Sequence, residues 1–148
     1  MEAGITIEKA EFAASKSSDA GARLCVWVVD DDAWYSEQLR GSLNTEPGVN
    51  CSRDFSSASS LLSALRQESP PDAILLDVQM PVMNGIEAIR LIRNLAPSTP
   101  VLMLTTCFDH WLKKQALAAG AADFLLKRNS PAQIIAAIRT ASVQFGNV

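Results

Sequence analysis

Several features are scarce in this 148-residue chain, and each absence removes a class of protein. The three cysteines, Cys25, Cys51 and Cys107, have no CxxC spacing, so neither a disulfide framework nor a zinc site is indicated. No apolar run approaches the roughly 18 residues that span a bilayer, and no secretory signal opens the sequence. We therefore expect a cytoplasmic protein without membrane contact.

Clustered basic charge and histidine are scarce as well. The 13 Lys and Arg residues are dispersed and are outnumbered by 16 Asp and Glu residues, whereas nucleic acids are bound by clustered cations. Direct nucleic-acid contact is therefore not expected. His110, the single histidine, opens a predicted helix beside Trp111, and we interpret it as a surface or capping residue. The 48% of hydrophobic residues are enough for one globular domain with a sizeable core.

The chain divides into a leader and a domain of repeated units. Residues 1–22 lack a sustained pattern and predict a flexible leader, with a short docked helix over 5–12 as the alternative. Within 23–148, apolar runs that begin near residues 24, 49, 72, 100 and 122 alternate with helical stretches. This repeat predicts an α/β fold, a doubly wound (βα)5 sandwich of three layers around a parallel sheet.

Local patterns refine this prediction. The run 49–55 alternates, which suits an edge strand, and places Val49, Cys51 and Phe55 on one side. Helix starts are indicated by two candidate capping boxes and a helix-initiating proline: Asn84 with Glu87, Ser130 with Gln133, and Pro131.

Polar residues follow the apolar runs at the points where the strands end. In a doubly wound fold these carboxyl ends share one edge of the sheet, where ligands bind. The residues found there are Asp30, Asp31, Asp32, Asp77, Thr105, Thr106 and Lys127. Each has an ordinary explanation alone, as a solvated turn, a strand-ending threonine or a surface lysine. Together, at matching positions of the repeat, they indicate a functional site.

The predicted acidic group needs a counter-charge. Carboxylates about 5 Å apart repel by about 3 kcal/mol per pair at an effective dielectric constant near 20, so Asp30, Asp31 and Asp77 need a cation to remain ionised together. Oxygen ligands of this kind favour Mg²⁺. Asp32 is predicted instead to cap the helix that starts at Ala33.

A cation beside a carboxylate, an amine and a hydroxyl is suited to phosphoryl transfer. The cation and Lys127 would offset charge on the moving phosphoryl group, while a carboxylate serves as nucleophile. Asp77 is the predicted acceptor because it stands alone at the end of a central strand. Asp30 and Asp31 are better placed to hold the metal.

The segments that carry these residues resemble the receiver domain of two-component response regulators. They are Val28-Val29-Asp30-Asp31, Leu75 to Gly85 with its Met80-Pro81, Val101 to Thr105, and Gly120 to Lys127. The resemblance covers residues 24–145 and implies a flavodoxin-like sheet of strand order 2-1-3-4-5. Arg128 after the lysine is similar to the branch that often carries a C-terminal helix-turn-helix, which does not follow before Val148. We expect either a single-domain regulator or a piece of a longer one.

The resemblance implies roles for the site residues. Asp77 would accept a phosphoryl group from a sensor histidine kinase or a phosphotransfer protein. Asp31, Asp77 and the main-chain carbonyl of Gln79 would hold Mg²⁺, with Asp30 acting directly or through water. Lys127 would pair with the phosphoryl oxygens.

A conformational switch is implied as well. Thr105 would move toward the phosphoryl group, and Phe124 would turn inward into the vacated space. We expect Trp111, Leu112 and Phe124 to supply an apolar partner surface beside this switch, at which a homodimer could form. The chain would then be a signalling module that catalyses only its own phosphorylation and dephosphorylation, not an enzyme acting on other substrates.

The main alternative is a phosphatase similar to the haloacid dehalogenases, using Asp30 and Asp32 with Thr105 and Lys127. That family needs a later acidic pair for Mg²⁺, and no Asp or Glu follows Lys127. A flavodoxin-like nucleotide binder is weaker still, since aspartates after the first strand repel a phosphate.

Overall fold

A computed structural model describes residues 23–80 and 83–145 of the chain. The predicted leader, with its alternative helix, lies outside the described residues. Strands and helices alternate strictly through the rest, and the predicted repeat is confirmed. In chain order the elements are β1 Leu24–Val29, α1 Ala33–Asn44, β2 Val49–Phe55, α2 Ala58–Gln67, β3 Ala73–Asp77, α3 Gly85–Leu95, β4 Val101–Thr105, α4 His110–Ala119, β5 Asp123–Leu126 and α5 Pro131–Gln144.

The five strands form one parallel sheet in the order β2-β1-β3-β4-β5, which confirms the predicted order. Parallel pairing brings all carboxyl ends to the same edge, because every strand runs in the same direction. Asp77, the last residue of β3, pairs with Leu104, and Thr105 follows at the end of β4. The register therefore sets the candidate site residues side by side.

Two apolar clusters cover the two faces of the sheet. One packs beneath α1 and α5, with Leu39 and Ile138 among its members. The other packs beneath α2, α3 and α4, with Leu61 and Ile89 among its members. Burial on both faces explains why β3 and β4 are buried at every residue and apolar except for their last residues, Asp77 and Thr105.

The edge strand β2 differs from its prediction in one respect. Val49 and Cys51 pack with the α1 and α5 cluster, but Phe55 packs on the opposite face, against Trp27. The pairing of β1 with β2 slips between Val26 and Trp27, whose partners are Cys51 and Arg53, so one residue of β2 is extra. This bulge reverses the side on which the later residues lie, and the predicted single-sided alternation is wrong beyond it.

Each helix begins at a side-chain cap. Asp32 accepts a hydrogen bond from Tyr35 N and caps α1, as predicted. Asn84 caps α3 by accepting from Glu87 N, and Ser130 with Gln133 forms the complete capping box at α5. Among the described residues, none of the helices is both long and apolar enough to cross a bilayer.

Candidate functional site

The acidic residues predicted to converge do lie together. Asp30 and Asp31 follow β1, and Asp77 ends the neighbouring strand β3. One carboxylate oxygen from each lies within 4.8 Å of the others. Asp30 and Asp77 are buried at 3% and 6% exposure, whereas Asp31 is exposed. The cluster is thus open to solvent on the Asp31 side and closed beneath.

Asp30 is fixed on both of its oxygens. Oδ1 accepts a hydrogen bond of 2.9 Å from Asp32 N. Oδ2 is buried and lies 2.6 Å from Lys127 Nζ, in an ion pair whose angles are not those of a hydrogen bond. A carboxylate held this way supports the site without being free to react.

Among the described residues, Asp77 is held on one oxygen. Its Oδ1 accepts a 3.3 Å hydrogen bond from Gln79 N and lies 3.5 Å from Lys127 Nζ, while Oδ2 has neither a hydrogen bond nor an ion pair with them. Burial, followed by the charge of Asp30, raises the pKa of Asp77 to about 6 against the lowering effect of Lys127. A more basic carboxylate with one free oxygen is a better nucleophile than a fully paired one.

Lys127 balances the charge of both buried carboxylates. Burial lowers its pKa, but the contact with Asp30 and the charge of Asp77 outweigh burial and hold the pKa above its usual range. Its main-chain N–H donates to Thr105 O at 2.7 Å, which ties the end of β5 to the end of β4. The ammonium is therefore fully charged and fixed at neutral pH.

The predicted switch residues are both buried. The Thr105 hydroxyl donates to Cys107 O at 3.1 Å, within its own loop. Phe124 already lies inward at 5% exposure, with its ring 6.2 Å from that of Phe108. Phe124 therefore does not contribute to an exposed partner surface, and that part of the prediction is wrong: its strand position points it into the cluster beneath α4. Trp111 is 66% exposed and lines a groove together with Leu112, while the exposed Phe108 packs against Phe124.

Gly85 allows α3 to start against the site. A Cβ at this position would meet Asp77 O and Met103 Cε, each at 2.6 Å. Any larger residue would push α3 away from the end of β3, because one of the two obstacles is main chain. The glycine after Asn84 therefore fixes how closely the helix approaches Asp77.

The donor set fits a hard divalent cation. Three carboxylates offer oxygens within one small volume, and Lys127 compensates only part of their charge. Gln79 lies beside them, since its N–H contacts Asp77. A groove of ≈ 630 Å³ adjoins this region, and its lining includes Asp31, Met80 and Trp111. The open side of the cluster has room for water and for a phosphoryl group.

This fold and this cluster define a class of protein. Residues 26–139 match the response regulator receiver domain family, and the chain belongs to that family. It is a receiver domain of two-component response regulators. The family match gives no support to a haloacid-dehalogenase-like phosphatase using Asp30 and Asp32.

Three known proteins show how similar this chain is to other proteins with a receiver domain. The uncharacterized transcriptional regulatory protein YxjL of Bacillus subtilis is 33% identical over 120 residues, which cover 81% of this chain and 55% of that protein. The transcriptional regulatory protein LnrK of the same organism is 46% identical over 74 residues, covering 50% of this chain and 34% of LnrK. The chain thus spans about half the length, or less, of these relatives. The signal receiver domain of the response regulator NarL from Mycobacterium tuberculosis superposes with a TM-score of 0.76 at 28% identity, covering 82% of this chain and 97% of that one.

One contact in the site is not predicted by any pattern in the sequence. Tyr35, on α1, contacts Lys127, which lies 92 residues later in the chain. An aromatic residue in the first turn after the acidic triplet is the only available signal, and it identifies no partner. The pairing depends on how α1 packs beside the β5–α5 turn.

Proposed function

We propose that residues 23–148 act as a phosphoacceptor module, in which Asp77 receives a phosphoryl group from the phosphohistidine of a sensor histidine kinase or a phosphotransfer protein. A carboxylate oxygen of Asp77 attacks phosphorus, the bond from phosphorus to the histidine nitrogen breaks, and an acyl phosphate forms. The observation that carries the proposal is the asymmetry of the buried pair. Within the part of the chain that the structure describes, Asp30 is engaged on both oxygens, whereas Asp77 is engaged on Oδ1 alone.

Asp30, Asp31, Asp77 and the main-chain carbonyl of Gln79 are proposed to hold Mg²⁺. When bound, the metal offsets the negative charge of the transferring phosphoryl group. Lys127 keeps its proton and faces Asp77 Oδ1 at 3.5 Å, so it can pair with a phosphoryl oxygen on the same side.

Thr105 is proposed to exchange its hydroxyl contact with Cys107 O for one with the phosphoryl group, and so to shift the loop that leads into α4. Phe124 needs no inward rotation in the conformation described, because it is already buried. The output would be a change in the surface that carries Trp111 and Leu112, in a cytoplasmic setting and without direct nucleic-acid contact.

Phosphorylation is tested by intact-mass measurement after incubation with Mg²⁺ and acetyl phosphate. We expect one phosphoryl group on the native chain, stable to acid and labile to base, and none when Mg²⁺ is replaced by EDTA. Asp77→Asn should gain none. Asp109→Asn is the matched control, because it also removes one carboxylate, asparagine also caps α4, and Asp109 is exposed and is not part of the acidic cluster. Equal phosphorylation of native chain and Asp77→Asn would contradict the proposal.

Homodimer formation at the surface of Trp111 and Leu112 is part of the proposal. Light scattering with Mg²⁺ and beryllofluoride, a phosphoryl mimic, should give a doubled mass that Trp111→Ala returns to that of the monomer. An unchanged monomer mass with the mimic bound would remove dimerisation from the proposal and leave phosphorylation standing.

A further inference from the structure

Tyr35 lies against the side chain of Lys127. It is the only tyrosine of the chain, and its N–H donates to Asp32 Oδ1 at 3.1 Å in the first turn of α1. Lys127 Nζ lies 4.7 Å from the centroid of the Tyr35 ring. This distance is within the range in which a cation is attracted to an aromatic face.

Tyr35 also contacts the main chain of the same lysine. Its hydroxyl donates to Lys127 O at 3.4 Å, while Lys127 N donates to Thr105 O at 2.7 Å. The peptide groups on both sides of the Lys127 Cα are thereby held, one by α1 and the other by β4. One tyrosine thus contacts both ends of the residue.

The hydroxyl keeps its proton near neutral pH and so can donate to the Lys127 carbonyl oxygen. Burial, then the charges of Asp30 and Asp77, raise the pKa of Tyr35 to about 12. A free lysine side chain samples many rotamers, so a contact that restricts it matters for how precisely the ammonium is presented.

We propose that Tyr35 is a positioning residue for Lys127: its ring holds the ammonium beside Asp30 and Asp77, and its hydroxyl fixes the main chain from which that side chain extends. The inference rests on the proposed function, because the position of the ammonium matters for its contact with the phosphoryl oxygens. It assigns the ring and the hydroxyl separate effects, which two substitutions separate.

Tyr35 is also partly buried beside the cluster under α1 and α5, so a purely structural role is the competing explanation. A structural role predicts the same loss of activity whether or not Lys127 is present. A positioning role predicts a loss that depends on Lys127. A double-mutant cycle distinguishes the two.

The experiment measures the rate of Asp77 phosphorylation by acetyl phosphate at saturating Mg²⁺, on the full chain, by intact mass. We expect Tyr35→Leu to slow the reaction about ten-fold and Tyr35→Phe, which keeps the ring, about two- to three-fold. In a Lys127→Ala background neither substitution should change the rate further. Trp34→Leu, at the exposed neighbouring aromatic, should react at the native rate.

The inference is overturned if Tyr35→Leu reacts at the native rate, or if it slows the reaction equally with and without Lys127. Urea unfolding in EDTA of the native chain, Tyr35→Leu, Lys127→Ala and the double variant that combines them gives a readout independent of phosphorylation. It should show that Tyr35→Leu destabilises the chain more when Lys127 is present than when it is absent. If the native chain takes no phosphoryl group, the proposed function fails. The unfolding experiment then still tests the interaction between Tyr35 and Lys127. If the stability losses of the two substitutions simply add, that interaction is rejected.

Discussion

Among the described residues, both ends of the sheet bury polar groups, but the amino end satisfies them with hydrogen bonds to neutral groups, whereas the carboxyl end also brings two carboxylates to one lysine. There the Thr99 hydroxyl donates to Pro71 O at 3.0 Å, and Asp72 exchanges hydrogen bonds with the main chain of Cys25. At the carboxyl end, Asp30 and Asp77 instead face each other across a single lysine. Polar groups at the amino end stabilise the fold, whereas those at the carboxyl end keep a reactive group available at a cost in stability.

The largest effect is expected from closing the space at the carboxyl end. Gly85→Ala should destabilise the chain by about 3 kcal/mol, because the added Cβ meets the main chain of Asp77 and one of them must shift. It should also reduce phosphorylation by displacing that carboxylate. Urea unfolding and intact mass measure the two effects.

Gly41→Ala is the matched control, since a Cβ at that helical position has no neighbour within 4 Å. It should stabilise the chain by up to about 1 kcal/mol through helix propensity. Similar unfolding midpoints for the two variants would mean that α3 can withdraw freely from β3.

The next-largest expected effect is an increase in stability, caused by a substitution at Asp77. Because the folded-state pKa of Asp77 is about 6, above its ordinary value of 3.8, its contribution to stability is present below pH 4 and is lost as pH rises through 6. Asp77→Asn removes this loss. In EDTA at pH 8 the variant should be more stable than the native chain by about 2 kcal/mol, and the difference should vanish toward pH 4.

Thermal unfolding across this pH range measures the difference between the two chains, with Asp109→Asn as the charge-matched control. Adding Mg²⁺ should stabilise the native chain more than Asp77→Asn, because the variant lacks one of the proposed ligands. A native chain that is more stable than the variant at pH 8 in EDTA would refute the idea that the paired carboxylates oppose folding.

Removing a polar group at the amino end of the sheet should destabilise the fold without any compensating gain. Thr99→Val keeps the shape of the side chain but leaves the Pro71 carbonyl without its donor, which costs about 1 to 2 kcal/mol. The loss should be independent of Mg²⁺ and of pH between 5 and 8. A gain in stability here would erase the difference between the two ends.

The smallest expected effect is a difference in how fast the thiols react. It distinguishes the two ends of the sheet without changing the stability of the fold. Cys107 is exposed near the carboxyl end, Cys25 is half-buried, and Cys51 is buried with a pKa raised to about 11 by burial. A disulfide reagent at pH 8 should label Cys107 first and Cys25 more slowly, and Cys51 only in denaturant. Rapid labelling of Cys51 in the folded chain would show that β2 opens locally.

The sequence predicted the features that follow from repetition and failed where one local contact decides. Apolar runs and caps were enough to place every strand and helix, and the edge rule for parallel sheets brought Asp30, Asp77 and Lys127 together. The extra residue in β2 has no periodic signature, so the side of Phe55 was wrong. The contact of Tyr35 with Lys127 depends on packing between elements far apart in the chain, which no single-sequence pattern contains.

The bulge in β2 also affects how concentrated solutions of the protein should behave. An edge strand can offer unpaired peptide groups to neighbouring molecules, which is a common start of aggregation. Here the irregular pairing twists the seven-residue strand β2, and Arg53 and Asp54 extend ionic side chains from it toward Glu68 and Arg40. The side chain of Asn44 also exchanges hydrogen bonds with the N–H and C=O of Cys51, and the border of the sheet is thereby protected against intermolecular strand addition.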